Sequence, residues 1–291
     1  MTAALSIVLA LLAALGNALA SVLQRRAAAE EKPPPSARRA AWLVGLLHRP
    51  VWLWGVAALV LSGVCQAGAL ATGPLAVVQP VMTTELLFTL VVGSAVFHHR
   101  PDRRTWWAFF AMAAGLAAFM RLAEPSKGVS TVPDGRWVPV AAGVLVVVAA
   151  LMAVGSRLRS APRATVFGTA TAIGFSCTAA LMKDAIGILA DGGVSDFLTS
   201  WQTYSVAAVG LGSFLLLQLT LRAGTLVASQ PALTLGDALL SVILGIVLFD
   251  EHIVLGLRIL PEAVALAVLV LGSVQLARSP VISGENEEQM W

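Results

Sequence analysis

Gly73-Pro74-Leu75-Ala76-Val77-Val78-Gln79-Pro80, followed by Glu85, Gly93 and Phe97, is answered 151 residues later by Gly224-Thr225-Leu226-Val227-Ala228-Ser229-Gln230-Pro231, followed by Asp237, Gly245 and Phe249. One residue inserted after the proline brings the acidic, glycine and phenylalanine positions into register at a spacing of 152. Each copy carries a lone carboxylate into the middle of an apolar run long enough to cross a bilayer. Duplicated membrane halves are the sequence mark of a transporter.

The rest of the chain fits a membrane solvent. Of 291 residues, 58% are hydrophobic and 12% charged, and a spanning helix needs about 20 apolar residues. Nine runs qualify, near 2–24, 51–72, 74–98, 105–122, 137–155, 164–186, 201–221, 224–249 and 260–277. The fold class expected is therefore an all-α polytopic integral membrane protein forming one transmembrane domain over 1–291. A tenth helix is the alternative count. The apolar start has no basic leader, and Arg25 and Arg26 follow it, so it reads as a retained first helix and not as a signal peptide.

Lys and Arg concentrate in loops that stay in the cytoplasm. Arg25, Arg26, Lys32, Arg38, Arg39, Arg49, Arg100, Arg103, Arg104, Arg157, Arg159, Arg163, Arg222 and Arg278 fall on one side of this layout, against Arg121, Lys127, Arg136, Lys183 and Arg258 on the other. That places the N-terminus outside and the C-terminus inside. Trp42, Trp52, Trp54, Trp106 and Trp107 then lie at inner helix ends and Trp137 and Trp201 at outer ends, where indoles prefer the headgroup zone. The segment 26–50 contains a proline run and a basic amphipathic stretch, which reads either as an interfacial helix or as a plain tether. The tail 278–291 is polar and acidic, with no account of Trp291. The basic balance matches anionic lipid, and no nucleic-acid partner is needed.

Other chemistries lack their groupings. None of Lys32, Lys127 and Lys183 sits in a Gly-Lys-Ser/Thr phosphate loop. No histidine falls mid-helix to pair with a serine, so an enzyme is not expected. Cys65 and Cys177 read as small packing residues rather than a disulfide or metal site. The pair His98-His99 has no second ligand cluster. No cofactor is expected beyond a coupling proton or a transported Mg²⁺.

What remains is Glu85 and Asp237. An ionisable group at the bilayer centre costs about 2.5–3.5 kcal/mol on insertion scales, so it faces the bundle interior or water and has a task. The bland alternative is an acid that only locks helix packing. Around Asp237, the residues Gln230, Thr234 and Ser241 recur at helical spacing and share its face. Gln79 and Glu85 are six apart, nearly opposite on an unbroken helix. Pro80 and, in the second copy, Pro231 are the candidate kinks, with a break expected near 76–80 that re-aims Gln79.

The duplication extends further. Ala14, Gly16, Ala20, Leu23 and Arg25 match Ala172, Gly174, Thr178, Leu181 and Lys183 at a spacing of 158, and Gln66 parallels Gln218. Five helices separate counterparts, an odd number, so the halves are oppositely oriented. The expected architecture is repeat 1 over 2–122, a connecting helix over 137–155 and repeat 2 over 163–277. A substrate site belongs near the midplane between them.

The stretch Gln66 to Pro80, its echo at 222–231 and the basic ends of helices 1 and 6 resemble the drug/metabolite transporter superfamily over about 2–277. Within it the chain looks most similar to the EamA-like proteins and the branch holding the NIPA-type magnesium transporters and their bacterial relatives. The resemblance implies transport of metabolites, drugs or divalent cations without ATP hydrolysis, in a bacterial inner membrane. The leading expectation is a secondary active transporter that works by alternating access as a proton-coupled metabolite or drug exporter. The alternatives are a NIPA-type Mg²⁺ or divalent-cation carrier, in which Glu85 and Asp237 would face the ion, and a non-transporting membrane scaffold. Small residues at Gly93, Ser94, Gly143, Gly168 and Gly245 permit close helix contacts in a monomer or a homodimer.

Overall fold

The computed structural model describes residues 2–29, 49–97, 102–123, 128–133, 135–223 and 226–252, together with eight positions between 261 and 275. The expected interfacial stretch at 26–50, most of the helix at 260–277, the tail, His48, His98 and His99 lie largely or wholly outside the described residues. Among those described there is no strand. The helices are α1 (Thr2–Ala29), α2 (Pro50–Thr72), α3 (Leu75–Met82), α4 (Glu85–Phe97), α5 (Arg103–Ala123), α6 (Trp137–Arg157), α7 (Ser160–Thr199), α8 (Trp201–Ala223) and α9 (Leu226–Phe249).

Seven segments among the described residues are long and apolar enough to cross a membrane: Ala4–Ala27, Pro50–Thr72, Leu75–Phe97, Trp137–Arg157, Pro162–Thr199, Trp201–Leu221 and Ala232–Phe249. The chain is thus an all-helical, multi-pass membrane protein. Helix α5 forms where the fourth run was expected and is not among these seven segments of the described residues. Its start is capped by Asp102, whose Oδ1 accepts the Thr105 N–H at 2.9 Å and also the Thr105 hydroxyl. These two donors hold the Asp102 carboxyl below the usual carboxylate range.

Two boundaries differ from expectation. The third run breaks at Thr83-Thr84, after Pro80 and not at 76–80. Pro80 sits inside α3, where it offers no N–H to the preceding turn. The next two residues then tighten the chain. Thr83 and Thr84 N–H bond three residues back, to Pro80 and Val81 carbonyls at 3.2 and 3.0 Å. Their hydroxyls donate to the same two oxygens at 2.6 and 2.7 Å, which competes with continuation of the α-helical ladder. The sixth run does not end at 186. Helix α7 continues as 40 residues with an interruption at Gly193, at φ 80 and ψ −173, a conformation only glycine enters freely. From Ser160 to that break is about 50 Å of helix, against about 30 Å of hydrocarbon, so its last turns stand clear of the apolar layer.

The core lies between α1, α2, α3, α7 and α9. Ala13 and Ala14, Leu70, Val78, Ala180, Leu244 and Phe249 meet in one buried cluster. Helices α6 and α8 flank it and turn Leu145, Val146, Leu211 and Phe214 outward, as lipid-facing surfaces do. Close approach uses small residues, the usual device where lipid removes the hydrophobic drive between helices. A Cβ on Gly16 of α1 would stand 2.9 Å from Ser62 Cβ of α2, and one on Gly174 of α7 would stand 3.1 Å from Ser213 Cβ of α8.

The helices alternate between two ends. At one end the Gly73 corner meets Ser6, Val129 N–H donates to Phe249 O at 2.7 Å, and Arg136 pairs with Asp250 at 2.7 Å. At the other lie the α1–α2 and α6–α7 connections, with Gly55 against Gln24 and Gly155 against Phe167. Arg25, Arg26, Arg49, Arg157, Arg159 and Arg163 gather at this second end. Lys183, counted in the sequence with the cations of the first end and placed at the end of the sixth run, lies well inside α7 and is buried, 6% exposed, so it is no surface cation. Trp137 likewise begins α6, as its expected place at a helix end requires, but it is buried rather than facing headgroups.

Candidate functional site: two polar junctions and a buried ion pair

Glu85 is the first residue of α4. Standing directly after the break, its carboxylate meets the positive end of the helix. The break also directs it at α1, where Asn17 Nδ2 donates to Glu85 Oε2 at 3.1 Å. The amide is itself held. Ser62 Oγ of α2 lies 2.7 Å from Asn17 Oδ1 and 2.7 Å from Ala13 O, so its single proton goes to one of two acceptors. The outcome is a chain from α2 through α1 to α4.

Asp237 has the matching arrangement in the second half. Ser176 Oγ of α7 lies 2.8 Å from Asp237 Oδ1, 3.1 Å from Asp237 O and 2.9 Å from Ala172 O. Helix α9 comes this near because residue 236 is glycine: a Cβ there would stand 2.7 Å from Ala172 Cβ. Ser241, one turn on from Asp237, is fully buried and faces the carboxyl without closing a hydrogen bond to it. Both acids remain half-buried, and no hydrogen bond joins them among the described residues.

The remaining expected polar residues scatter. Gln79 is buried in α3, on the far side of the break from Glu85. Thr234 is half-buried in α9, and Gln66 and Gln218 are half-buried in α2 and α8. No hydrogen bond ties either of these glutamines to an acid among the described residues. The side chains of Gln230 and Pro231 lie outside the described residues. Cys65 and Cys177 are free thiols, half-buried and buried.

A second polar centre escaped the sequence reading. Glu251, 2% exposed, follows α9 and is folded back by Asp250, which takes a left-handed φ of 52, a region aspartate tolerates better than most residues. Its Oε1 accepts the Leu75 N–H at 2.6 Å and its Oε2 the Ala76 N–H at 2.9 Å, both at the start of α3. Lys183 of α7 closes an ion pair with the same carboxylate, and its Nζ lies 4.3 Å from the Phe249 ring centroid. The adjacent Asp184, fully buried, accepts from Val132 N–H at 2.8 Å, Trp137 Nε1 at 2.7 Å and Gln202 Nε2 at 3.3 Å. Two neighbouring charges inside the apolar run of α7 were the signal that pointed here.

Asp184 also lines an open cleft of about 450 Å³ with Thr131, Val132, Ile188, Asp191, Gly192, Asp196 and Gln202. Aspartates that the sequence scatters singly are thereby collected at the end of the bundle opposite the arginines. They do not form a chelate: no group of three His, Cys, Asp or Glu side chains among the described residues is disposed to hold a metal ion.

No protein-family model matches the chain, and no solved structure matches it. An uncharacterized protein of Corynebacterium glutamicum is 28% identical over 279 residues, covering 94% of this chain and 95% of that one. The two chains are therefore collinear over nearly their full lengths.

Proposed function

We propose that the chain is a secondary active transporter of the plasma membrane that works by alternating access. In this reading it has nine spanning helices in two inverted four-helix repeats, 2–122 and 163–277, with α6 as connector, the N-terminus outside and the C-terminus in the cytoplasm. The observation that carries it is a similar polar contact on corresponding helices of the two halves. Asn17 of α1 holds Glu85, and Ser176 of α7 holds Asp237. Gly16 packs on Ser62, and Gly174 packs on Ser213. A carboxylic acid, a donor and a glycine-serine contact recur on corresponding helices in an apolar setting, and inverted repeats of this kind carry substrate at their junction.

A lone acid with one neutral donor suits proton loading, and the apolar residues of α1, α3, α7 and α9 around both acids favour an organic solute. Both acids would exchange protons as the solute leaves. The cleft with Asp184, Asp191 and Asp196 favours a positively charged cargo, which keeps a divalent-cation carrier as the second reading. Mg²⁺ retains most of its waters and is served by one or two carboxylates. The resemblance to the drug/metabolite transporter superfamily agrees with either cargo.

Flux in proteoliposomes tests this, with a panel of amines, amino acids and Mg²⁺, each with and without an imposed pH gradient. Glu85→Gln and Asp237→Asn are expected to abolish flux while folded yield stays near that of the parent. Loss of folded protein with no separable transport defect would favour a scaffold.

A further inference from the structure

We propose that the Lys183–Glu251 pair is a gate that fastens the start of α3 to α7 and α9 at one end of the bundle and opens the interior from that end when it parts. The gate rests on the transporter reading, because alternating access requires one closing contact at each end to break. Its geometry joins the two halves of the chain. Leu75 and Ala76 belong to the first, Lys183 and Glu251 to the second, and a single carboxylate is shared between them. The α9 backbone lies against that carboxylate at Gly245, where a Cβ would collide with it and would stand 3.6 Å from Ala76 N.

The energetics suit a contact that opens. A buried ion pair adds little net stability, because desolvation of both charges offsets their attraction, yet it demands strict geometry. Once water reaches it, both charges are solvated and little holds it shut. Such a contact defines a closed state without welding it. Below it, Ser176, the partner of Asp237, lies seven residues from Lys183 along α7, about 10 Å of rise and two turns down the same face, with the buried Cys177 next to it in the chain. Opening of this end therefore carries water down that face to the Ser176–Asp237 junction and, with it, to Cys177 beside Ser176.

The test uses full-length protein in detergent with Cys65→Ser, leaving Cys177 as the single thiol, and a charged methanethiosulfonate as probe. Lys183→Met/Glu251→Gln removes both charges together, so no unpaired charge is buried, and Gly245→Ala wedges the carboxylate from its seat. Each variant is expected to raise the Cys177 labelling rate about tenfold or more, since an opening populated at roughly 0.1–10% leaves that room. An unchanged rate in folded variants overturns the gate. Should neither variant fold, hydrogen exchange of the parent decides. Leu75 and Ala76 amides exchanging faster than those of buried α1 residues show a sub-global opening, and exchange no faster than α1 overturns it. Solute flux with an unchanged Cys177 rate removes the gate and keeps the transporter. A responsive Cys177 in a protein that moves no solute supports the opening and removes the transporter.

Discussion

Single residues set how much each polar centre costs the membrane fold. Glu251 is nearly sealed, so removing only its counter-charge leaves a buried carboxylate with two amide donors and no cation. Lys183→Met is expected to cost about 3–5 kcal/mol, and adding Glu251→Gln should recover most of it, as read from reversible unfolding in mixed micelles. The Arg136–Asp250 pair behaves differently because its side chains are 39% and 46% exposed. Arg136 donates to Asp250 and holds that carboxyl below the usual carboxylate range. A depressed folded-state pKa means that the pair's contribution is complete at neutral pH and fades only as pH falls through the folded value. Titration of Asp250 by carboxyl-carbon NMR should show this, with the midpoint returning to the ordinary range in Arg136→Gln. Glu85 and Asp237 were visible from sequence as lone acids in apolar runs. Asn17, Ser62 and Ser176 were not, since one amide or hydroxyl in a helix carries no sign of which neighbour it will face.

Helices obey local rules that the sequence states openly, and they deviate where two rules compete. The break after α3 shows this. Proline predicts a disturbance at its own position, yet the chain yields three residues later, where Thr83 and Thr84 hydroxyls take over carbonyls that the ladder needs. Helix α7 outruns the expected end of its apolar stretch because Ile186, Ile188 and Leu189 keep it apolar through Gly187, and the backbone leaves the helical region only at Gly193. Interhelical distance is set by glycine. In Gly16→Leu the added side chain must displace α2 at Ser62, and overpacking of this kind costs about 1–3 kcal/mol. Gly63, with nothing within 4 Å of its missing Cβ, is the control, and Gly63→Leu should stay within about 0.5 kcal/mol of the parent. Thermal unfolding of the two variants side by side measures the contrast.

For the whole molecule, the two ends of the bundle differ in charge: arginines at the α1–α2 and α6–α7 connections, carboxylates around the cleft at the other end. In the proposed orientation this asymmetry puts the arginines inside, as the excess of basic residues in cytoplasmic loops requires. Impermeant labelling of cysteines placed at residues 3 and 285 should therefore reach the first from outside intact cells and the second only after permeabilisation. Two termini on one face would overturn the count of nine helices and the four-helix repeats built on it. The class of solvent, the helical class, the approximate runs and the two lone acids within apolar runs were determined by the sequence alone, because they depend on composition and on a repeat readable along one dimension. Tertiary structure alone decided that Lys183 is buried against Glu251, that Asp184 gathers Val132, Trp137 and Gln202, and that each acid is held by a different helix. Those contacts join positions 18 to 68 residues apart, and a charge buried at such a distance is tolerable only where another element brings its partner. That pairing is a property of the packed bundle and not of any stretch of the chain.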